Sequence, residues 1–485
     1  MNKLLNELYI DWFSNKHYWF SYNLQIDTYL CDKYSSLLEY PNDYNNLSKT
    51  ELIALIIVYD QLPRHYVRVY SNLAVNFYSQ KATYIAEIVL NEYDNLKVDE
   101  LCFIYLPFRH INKNIYKIIK IFIDLYNNSN NIDKITCKKY IRNTLEKSYK
   151  LTTEYQLSNN NLNITNINKN VLDVQSVKYE QTVDIEKIIK TEYNKIKTNK
   201  LIVVSLSGGV DSVTALHILQ KYHKNIIAVH IDYKNSKDEL NFVKYYCNFL
   251  NIKLLYRTVN EITRDECLHN GLRDLYEDIT KKIRFNLYEI TNPQYVLLGH
   301  NKDDCFENII TNIGNKNNYD NLCGMSVLST IDNINLWRPM LNIDKKEIIA
   351  YANKNNLDYL CDSTPKWSVR GKIRDHIRPS IETIQNTNMV ESFFILKDKL
   401  EESNILLELF VDNLLLKYDK GIYTDNEIKT LKYVSVSSIF FKKLGIKVSY
   451  KTLKDFARIK EQRFILNKDN SIIIKNNTLV ILKHY

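Results

Sequence analysis

Glycine and proline are scarce in this chain, with nine and seven residues among 485. Asparagine, lysine, isoleucine and tyrosine abound instead, a bias typical of AT-rich coding DNA. No apolar run approaches the roughly 20 residues that span a bilayer, so we expect no membrane-spanning segment. The first residues carry acids early and have no small-residue cleavage site, which predicts no signal peptide.

The eight cysteines form no Cys-x-x-Cys pair. Their scattered spacing predicts free thiols in a reducing compartment, and hence a cytoplasmic location. It also argues against a zinc knuckle or a cysteine-ligated iron–sulfur cluster. The net charge of +9 favours an anionic partner such as RNA, although lysine-rich codon bias could account for much of that charge.

Three patterns divide the chain into candidate domains. Residues 1–150 carry apolar residues at helical spacing and predict an all-α region, followed by an asparagine-rich linker at 151–183. Residues 184–380 alternate strands and helices, which predicts a parallel sheet with helices on both faces and ligands at the carboxyl ends of its strands. Residues 381–485 predict an α+β region, with a long helix near 389–417 and a small β-meander. Strands are expected at 201–206, 226–232, 253–259 and 295–299, and helices at 212–221, 237–250, 272–290 and 303–313.

The most informative segment is Ser207-Gly208-Gly209-Val210-Asp211-Ser212, between an apolar strand pattern and an apolar helix pattern. A strand, a glycine turn and a helix start together present backbone N–H groups to an anion. The glycines let the main chain approach a phosphate, and the two serine hydroxyls add donors. Asp211 adds a carboxylate for a metal or an orienting hydrogen bond. The lysine of the common nucleotide triphosphatase loop is absent. A glycine-rich turn without a ligand is the alternative.

A second polar cluster, His300 with Asp303, Asp304 and Glu307, follows the fourth predicted strand. Asp303 and Glu307 share one face of the next helix because they lie four residues apart. With Asp211, the acids Asp304 and Glu307 predict a Mg²⁺ site against nucleotide phosphates. His300 is expected to contact substrate or phosphate. Acids at a helix N-terminus are also ordinary caps, which is the alternative.

A basic segment lies further on, where Arg370, Arg374 and Arg378 are four residues apart. A helix would align them as one stripe. Arginine forks suit the phosphates of a nucleotide or of RNA. A solvated helix face is the alternative.

Taken in order, these segments resemble the tRNA(Ile)-lysidine synthetases, which are PP-loop ATP pyrophosphatases. The resemblance covers residues 198–380 and extends more weakly to 485. The segments that carry it are SGGVDS, HIDYKNSKDE, KKIRF, LLGHNKDDCFENI, RPML and RGKIR. It implies an adenine nucleotide α-hydrolase-like fold and a ligase that converts ATP to AMP and pyrophosphate. Such an enzyme adenylates the C2 oxygen of the wobble cytidine in a minor isoleucine tRNA, and free L-lysine then displaces AMP.

Each motif residue therefore has an expected role. ATP is expected at the loop formed by Ser207, Gly208, Gly209, Val210, Asp211 and Ser212, and Mg²⁺ at Asp211, Asp304 and Glu307. The expected catalytic residues are Asp211, His300, Asp303, Asp304 and Arg374. The residues expected to contact substrate or tRNA are Arg284, Arg338, Arg370, Lys372 and Arg378. Gly371 stands where the family usually has asparagine, so a different substrate is an open alternative.

Two other functions stay open. Thiolation of tRNA uses the same adenylating core; the lack of Cys-x-x-Cys pairs disfavours it, while Cys305, Cys323 and Cys361 lie in the catalytic region. A non-catalytic scaffold that binds RNA or protein is the second. The oligomeric state is left open, with a homodimer as one alternative.

The N-terminal region resembles domain-of-unknown-function family 924 over about residues 5–127. The segments Asp60-Gln61-Leu62-Pro63-Arg64 and Phe103–His110 are among those that carry this resemblance. It implies a tetratricopeptide-like helical fold and no known activity. Asp60, Gln61, Arg64 and His110 are polar residues in apolar surroundings, so they either line a site or cross-link helices. The pairing with a tRNA-modifying core suggests a platform that binds tRNA or a protein partner.

Overall fold

The computed structural model describes most of the chain. The described residues are 1–19, 23–70, 73–150, 156–157, 179–234, 237–268, 271–315, 321–361, 368–383, 389–418, 421–459, 463–475 and 477–483. Most of the predicted linker lies outside these residues.

Two compact units make up the chain, and neither is continuous in sequence. The first unit comprises Met1–Asn160, Val229–Leu240 and Leu254–Asn292. The second unit comprises Asn161–Ala228, Asn241–Lys253 and Pro293–Tyr485. The helical N-terminal region therefore shares its unit with two segments of the strand–helix region.

Helices account for the N-terminal region, as predicted. They are α1 (Asn2–Ser14), α2 (Leu24–Tyr34), α3 (Lys49–Asp60), α4 (Leu62–Tyr70), α5 (Val75–Glu92), α6 (Val98–His110), α7 (Ile115–Asn128) and α8 (Asn131–Ser148). Helix α3 is central, because every residue from Glu51 to Asp60 is buried. Its start is fixed by a capping box in which Ser48 and Glu51 bind each other's backbone N–H groups.

The other segments of the first unit add strands and two helices. Strand β1 (Gln156–Leu157) pairs antiparallel with β4 (Lys253–Thr258). Strand β4 in turn neighbours β3 (Ile226–Asp232) in the sheet. Helix α12 (Arg264–Leu268) precedes α13 (Arg273–Thr291). Ion pairs join α13 to α8: Lys138 Nζ lies 2.8 Å from Asp274 Oδ1, and Lys282 Nζ lies 3.2 Å from Glu146 Oε1.

Parallel strands form the centre of the second unit. Strand β2 (Ile202–Ser205) pairs parallel with β5 (Tyr295–Leu297), and β5 pairs parallel with β7 (Ile334–Trp337). The register places Val203 opposite Val296, and Val296 opposite Leu336. The four predicted strands are thus confirmed to within two residues at each end.

Strands β1, β6 and β7 were not predicted, and β1 lies within the predicted linker at 151–183. Strand β6 (Leu328–Ile331) forms a hairpin with β7, turning at Asp332 and Asn333, which both have positive φ. Two successive residues with positive φ suit a tight hairpin, and asparagine and aspartate tolerate that conformation best among non-glycine residues.

Helices follow or flank these strands. They are α9 (Ile185–Ile196), α10 (Val210–Tyr222), α11 (Lys237–Phe249), α14 (Lys302–Gly314), α15 (Lys345–Lys354), α16 (Val369–Lys372) and α17 (Arg378–Thr383). Between α16 and α17 the chain makes a π-helical turn, Ile373–Ile377. The helices predicted at 212–221, 237–250, 272–290 and 303–313 are confirmed.

The C-terminal residues form a smaller α+β core within the second unit, as predicted. Its helices are α18 (Met389–Tyr418), α19 (Asp425–Leu431), α20 (Val434–Lys443) and α21 (Tyr450–Phe456). Strands β8 (Arg463–Asn467), β9 (Asn470–Lys475) and β10 (Thr478–Lys483) form an antiparallel sheet with β9 in the middle. Phe440, Phe456 and Ile472 are fully buried in this core. Among the described residues, no helix is both long and apolar enough to cross a bilayer.

Candidate active site

A loop between β2 and α10 carries the glycine motif. Gly208 has φ +88°, and a Cβ built there would lie 2.7 Å from Leu360 Cδ1. A backbone hydrogen bond also joins the two segments, because the Leu360 N–H donates to the Gly208 carbonyl at 2.9 Å. Glycine is therefore required both by conformation and by contact. The loop ends at the first turn of α10, whose N–H groups have no acceptor within the helix and carry the positive end of its dipole.

Both serine hydroxyls of the motif bond within the loop. The Ser212 hydroxyl donates to the Gly209 carbonyl at 3.0 Å and accepts the Ser207 N–H at 3.2 Å. The Ser207 hydroxyl accepts the Gly209 N–H at 3.3 Å. In this conformation the hydroxyls hold the loop in shape. Their predicted bonds to phosphate stay a prediction.

Asp211 lies in the first turn of α10 and is paired with a cation. Its carboxylate forms an ion pair with the Lys345 ammonium and accepts a hydrogen bond from Asn301 Nδ2 at 3.0 Å. Burial raises the pKa of Asp211, Lys345 opposes this, and the nearby Asp304 raises it further; the net direction is upward. Its side chain nevertheless keeps 22% of its exposure, so a ligand can reach it.

The sequence interpretation did not identify Lys345. This lysine is the first residue of α15, directly after the N-cap Asp344. The signal available was position alone: a lysine that opens a helix just after a strand of the parallel sheet. Helix starts at the carboxyl edge of such a sheet gather near the ligand site.

Gly299 brings the second motif against the loop. A Cβ built on Gly299 would lie 2.9 Å from the Ser212 backbone nitrogen. Glycine at the end of β5 thus permits the chain to pass directly over the start of α10. The next residues, His300 and Asn301, are therefore carried to the loop, which explains the bond from Asn301 to Asp211.

Asp304 caps the helix that carries the acids. The Asn301 side chain accepts the Asp304 N–H, and the Asp304 carboxylate accepts the Asn301 N–H, both at 3.1 Å. This is a capping box for α14, the alternative that the sequence left open. Asp304 also acts through its charge, because it raises the pKa of both Asp211 and Glu307.

Two arginines of the basic segment pair with two acids of α14. Arg374 Nε donates to Glu307 Oε1 at 2.9 Å, and Arg378 Nη1 lies 2.7 Å from Asp303 Oδ1. The predicted α-helical stripe is interrupted by the π-helical turn, within which Arg374 lies. A single widened turn changes which face the following residues occupy, and such turns are frequent at functional sites.

Glu307 is the more buried of the paired acids, with its side chain 3% exposed. Burial raises the pKa of Glu307 and outweighs the opposing charge of Arg374. The charge of Arg370 also reaches Glu307. Arg370 and Lys372 are exposed, whereas Gly371 between them is buried and its N–H is capped by the Ser368 hydroxyl.

Arg338 holds His300 in place. Arg338 Nε donates to His300 Nδ1 at 3.2 Å, and its Nη1 donates to the Ser326 carbonyl and the Ser329 hydroxyl at 2.9 Å each. Because Nδ1 accepts, a neutral His300 carries its proton on Nε2. Arg338 is buried, and burial lowers its pKa.

Arg284 lies on α13 in the first unit. Its charge acts on the neighbouring Tyr233 and opposes the rise in pKa that burial imposes on that phenol. Its Nε is buried and has no hydrogen-bond partner among the residues described. Contact of Arg284 with substrate stays a prediction.

The acids predicted to hold Mg²⁺ are Asp211, Asp304 and Glu307. Within the described residues, no group of three or more His, Cys, Asp or Glu is arranged to hold a metal ion. Asp211 and Glu307 already pair with Lys345 and Arg374. However, Mg²⁺ that accompanies a nucleotide usually takes only one or two carboxylates together with phosphates and water. The like charges of Asp211 and Asp304 suit such an ion, which stays a prediction for the nucleotide-bound state.

Two segments of the chain match known protein families. Residues 180–381 match the PP-loop domain family, and residues 9–157 match a bacterial protein family of unknown function, DUF924. Both matches agree with the two resemblances that the sequence indicated.

The chain is also similar to individual proteins of named function. The tRNA(Ile)-lysidine synthase of Borrelia garinii subsp. bavariensis is 29% identical over 326 residues, covering 62% of this chain and 70% of that protein. The tRNA(Ile)-lysidine synthase of Mesoplasma florum is 30% identical over 234 residues, covering 45% of this chain and 55% of that protein. Among solved structures, the U34-tRNA thiolase NcsA from Methanococcus maripaludis is 17% identical, covers 45% of this chain and 78% of its own, and has a TM-score of 0.38.

Proposed function

We propose that this chain is an ATP-dependent tRNA-modifying ligase that forms lysidine. It would adenylate the C2 oxygen of the wobble cytidine in a minor isoleucine tRNA and join L-lysine to that carbon. One observation carries the proposal: Asp211, in the phosphate loop, is held by Lys345 and Asn301 beside the acid-bearing start of α14. The same motifs stand in the same order as in the family that the sequence resembles.

Nucleotide binding uses the backbone of the loop. The free N–H groups at the start of α10 would bind the phosphates of ATP. Arrival of that negative charge, with Mg²⁺ at Asp211 and Asp304, would draw the Lys345 ammonium from Asp211 to a phosphate oxygen. Mg²⁺, when bound, supplies positive charge beside the phosphates.

The first chemical step forms a bond between the cytidine C2 oxygen and the α-phosphorus of ATP. The bond from the α-phosphorus to the bridging oxygen breaks, and pyrophosphate leaves with that electron pair. Lys345 and Arg374 would neutralise the developing charge, which is the largest contribution that fixed side chains usually make. His300, oriented by Arg338, would donate its Nε2 proton to a phosphate or substrate oxygen.

The second step forms the bond from the lysine ε-nitrogen to C2. The former C2 oxygen leaves on AMP, and the amine loses its protons to solvent. Asp303 and Asp304 would hold the incoming ammonium group. The exposed residues Arg370 and Lys372, together with Arg378 and Arg284, would contact tRNA phosphates.

The burial of Cys305 and Cys323 disfavours the alternative function, tRNA thiolation. Cys305 and Cys323 are buried, and burial raises the pKa of both thiols. A raised pKa lowers the fraction of thiolate, which is the nucleophile that a sulfur relay requires. Cys361 alone among the eight cysteines is exposed.

The test uses the purified full chain with total tRNA and ATP, with and without L-lysine. AMP and pyrophosphate release is measured, and the digested tRNA is analysed by nucleoside mass spectrometry. Lysidine formation is expected as a lysine-dependent mass gain on cytidine. AMP release with sulfur incorporation would replace the proposal with thiolation, and ATP binding without turnover on any tRNA would replace it with a scaffold.

A further inference from the structure

A second polar cluster lies in the helical region, around Asp60 at the end of α3. His110 Nδ1 lies 2.7 Å from Asp60 Oδ1, and the Ser79 hydroxyl donates to the same oxygen at 3.2 Å. Gln61 Nε2 donates to Asp60 Oδ2 at 2.5 Å, and Arg64 Nη2 lies 3.6 Å from Oδ1. The polar residues singled out in the sequence are thus brought together, and His110 and Ser79 connect Asp60 to α6 and α5.

Arg109, the residue before His110, has buried side-chain donors that lack hydrogen-bond acceptors among the described residues. It is 6% exposed, and its Nε and Nη1 have no hydrogen-bond partner in the part of the chain that the structure describes. Its guanidinium lies 5.4 Å from the ring centre of Tyr140. The Tyr140 hydroxyl is likewise buried and without a partner among the described residues. Buried donors of this kind are rare in folded proteins, because an unmade hydrogen bond is costly.

Positive charge accumulates at the same place. Tyr140 and Lys147 lie seven residues apart on α8, which places them two turns apart on one face. Burial lowers the pKa of Lys147, and the charges of Arg109 and Arg64 lower it further. Lys147 is exposed and Arg64 keeps 31% of its exposure, so the cluster reaches solvent. Arg64, Arg109 and Lys147 together carry three positive charges against the single negative charge of Asp60.

We propose that Arg64, Arg109, Tyr140 and Lys147 form a binding site for a phosphate group. Asp60 and His110 are positioning residues, because they fix Arg64 and the end of α6. The unpaired donors of Arg109 and Tyr140 require acceptor oxygens, and guanidinium groups suit phosphate. The charge excess of about two matches a phosphate monoester, which carries about −1.5 to −2 near neutral pH, better than a carboxylate. Two sources have this chemistry: a small phosphorylated molecule and the 5′-terminal phosphate of an RNA.

The test measures inorganic phosphate binding by titration calorimetry and by the phosphate-dependent rise in unfolding temperature, on the full chain. Phosphate that binds at the glycine loop of residues 207–212 is common to the parent and to every variant, so the Arg109-dependent part of the binding reports the proposed site. Arg109→Gln is expected to weaken phosphate binding at least tenfold, and Tyr140→Phe several-fold. Arg109→Lys keeps the charge and should retain part of the affinity, which guards against a folding defect in Arg109→Gln.

The matched control is Arg142→Gln, an arginine of α8 whose side chain is half exposed and pairs with Asp274. It should bind phosphate like the parent. Without phosphate, Arg109→Gln should unfold at the same or a higher temperature, because it removes an unpaired buried charge. Equal phosphate affinity in the parent and Arg109→Gln, or no binding by the parent at millimolar phosphate, would overturn the proposal.

The two sources are separated with tRNA that carries either a 5′-phosphate or a 5′-hydroxyl. A preference for the 5′-phosphate that disappears in Arg109→Gln assigns the site to the RNA terminus. Equal binding of the two tRNAs, with phosphate binding still dependent on Arg109, assigns it to a small phosphorylated molecule.

Discussion

Two aspartates of this chain, the buried Asp60 and the partly buried Asp211, have opposite pKa shifts, although each faces a cation. Asp211 pairs with Lys345, and its pKa is raised. Asp60 faces His110 and Arg64, and its pKa is lowered. Burial opposes the ionised form of both. At Asp60 the hydrogen bond and charge of His110, with Arg64 and Gln61, outweigh burial, whereas at Asp211 the charge of Asp304 adds to it.

The difference distinguishes two environments of a carboxylate. Asp60 is held by surrounding donors and serves to cross-link helices. Asp211 lies among too few donors for its burial and beside a like charge, which is the arrangement typical of groups that meet a ligand. Burial and a neighbouring cation are therefore insufficient to recognise a functional acid. The number of hydrogen-bond donors and of like charges around the carboxylate must also be considered.

The largest effect should follow the loss of Asp211. Asp211→Ala should reduce tRNA-dependent AMP release by about a thousandfold, the scale seen when one fixed transition-state contact is removed. Asp412→Ala, at a half-exposed aspartate of α18, is the control and should leave the rate unchanged. A rate within threefold of the parent for Asp211→Ala would refute the site assignment.

Asp60→Asn should instead affect stability. Removing a charge from a buried paired site is expected to cost about 3 kcal/mol at neutral pH. Because the folded pKa of Asp60 is lowered, its contribution is present above the unfolded pKa of about 3.9 and is lost as pH falls through the folded value. Urea unfolding at several pH values should therefore show the parent and variant converging in acid. A constant difference at every pH would contradict this explanation.

Lys345→Met is expected to have a smaller effect than Asp211→Ala, a loss of about a hundredfold in AMP release. The pH profile is the sharper measurement. Lys345 lowers the pKa of Asp211, so its loss should raise that pKa and move the acid limb of the rate to higher pH. The exposed neighbour gives the control, since Lys346→Met should leave the limb in place. An unmoved limb in Lys345→Met would mean that Asp211 does not govern it.

The smallest effect is expected at an exposed pair of the helical region. Lys113 Nζ lies 2.6 Å from Glu87 Oε1, and both side chains are nearly half exposed. Lys113→Met should change the free energy of unfolding by less than about 0.5 kcal/mol. A loss comparable to that of Asp60→Asn would show that proximity of charges, rather than burial and donor number, sets the stability in this region.

Much of the fold and part of the site were readable from the sequence. The apolar run before Ser207 and the periodic residues after it predicted β2 and α10, and the helix over 303–313 was also predicted. Local pattern suffices there because the strand is buried on both faces and the helices have clear starts. The ion pairs of Arg374 and Arg378 with α14 could not be read, since they depend on a π-helical turn that leaves no periodic signal.

Lys345 and Arg109 show a different limit. Lys345 lies 134 residues from its partner Asp211, and no local pattern reports such a distance. Arg109 is notable for bonds that it does not make within the described chain, which only a three-dimensional inventory of donors can reveal. The polar residues of the Asp60 segment were visible in the sequence, but the charge excess around them depends on how α6 and α8 pack.

The discontinuous first unit has a consequence for the order of events during synthesis. Lys138 on α8 emerges from the ribosome 136 residues before its partner Asp274 on α13. At translation rates of about 5 to 20 residues per second, the helical region waits roughly 7 to 27 s for that partner. During this interval α8 presents Lys138 and Arg142 without the acid that later pairs with both. The nascent helical region therefore presents Lys138 and Arg142 to polyanions before Asp274 has been synthesised.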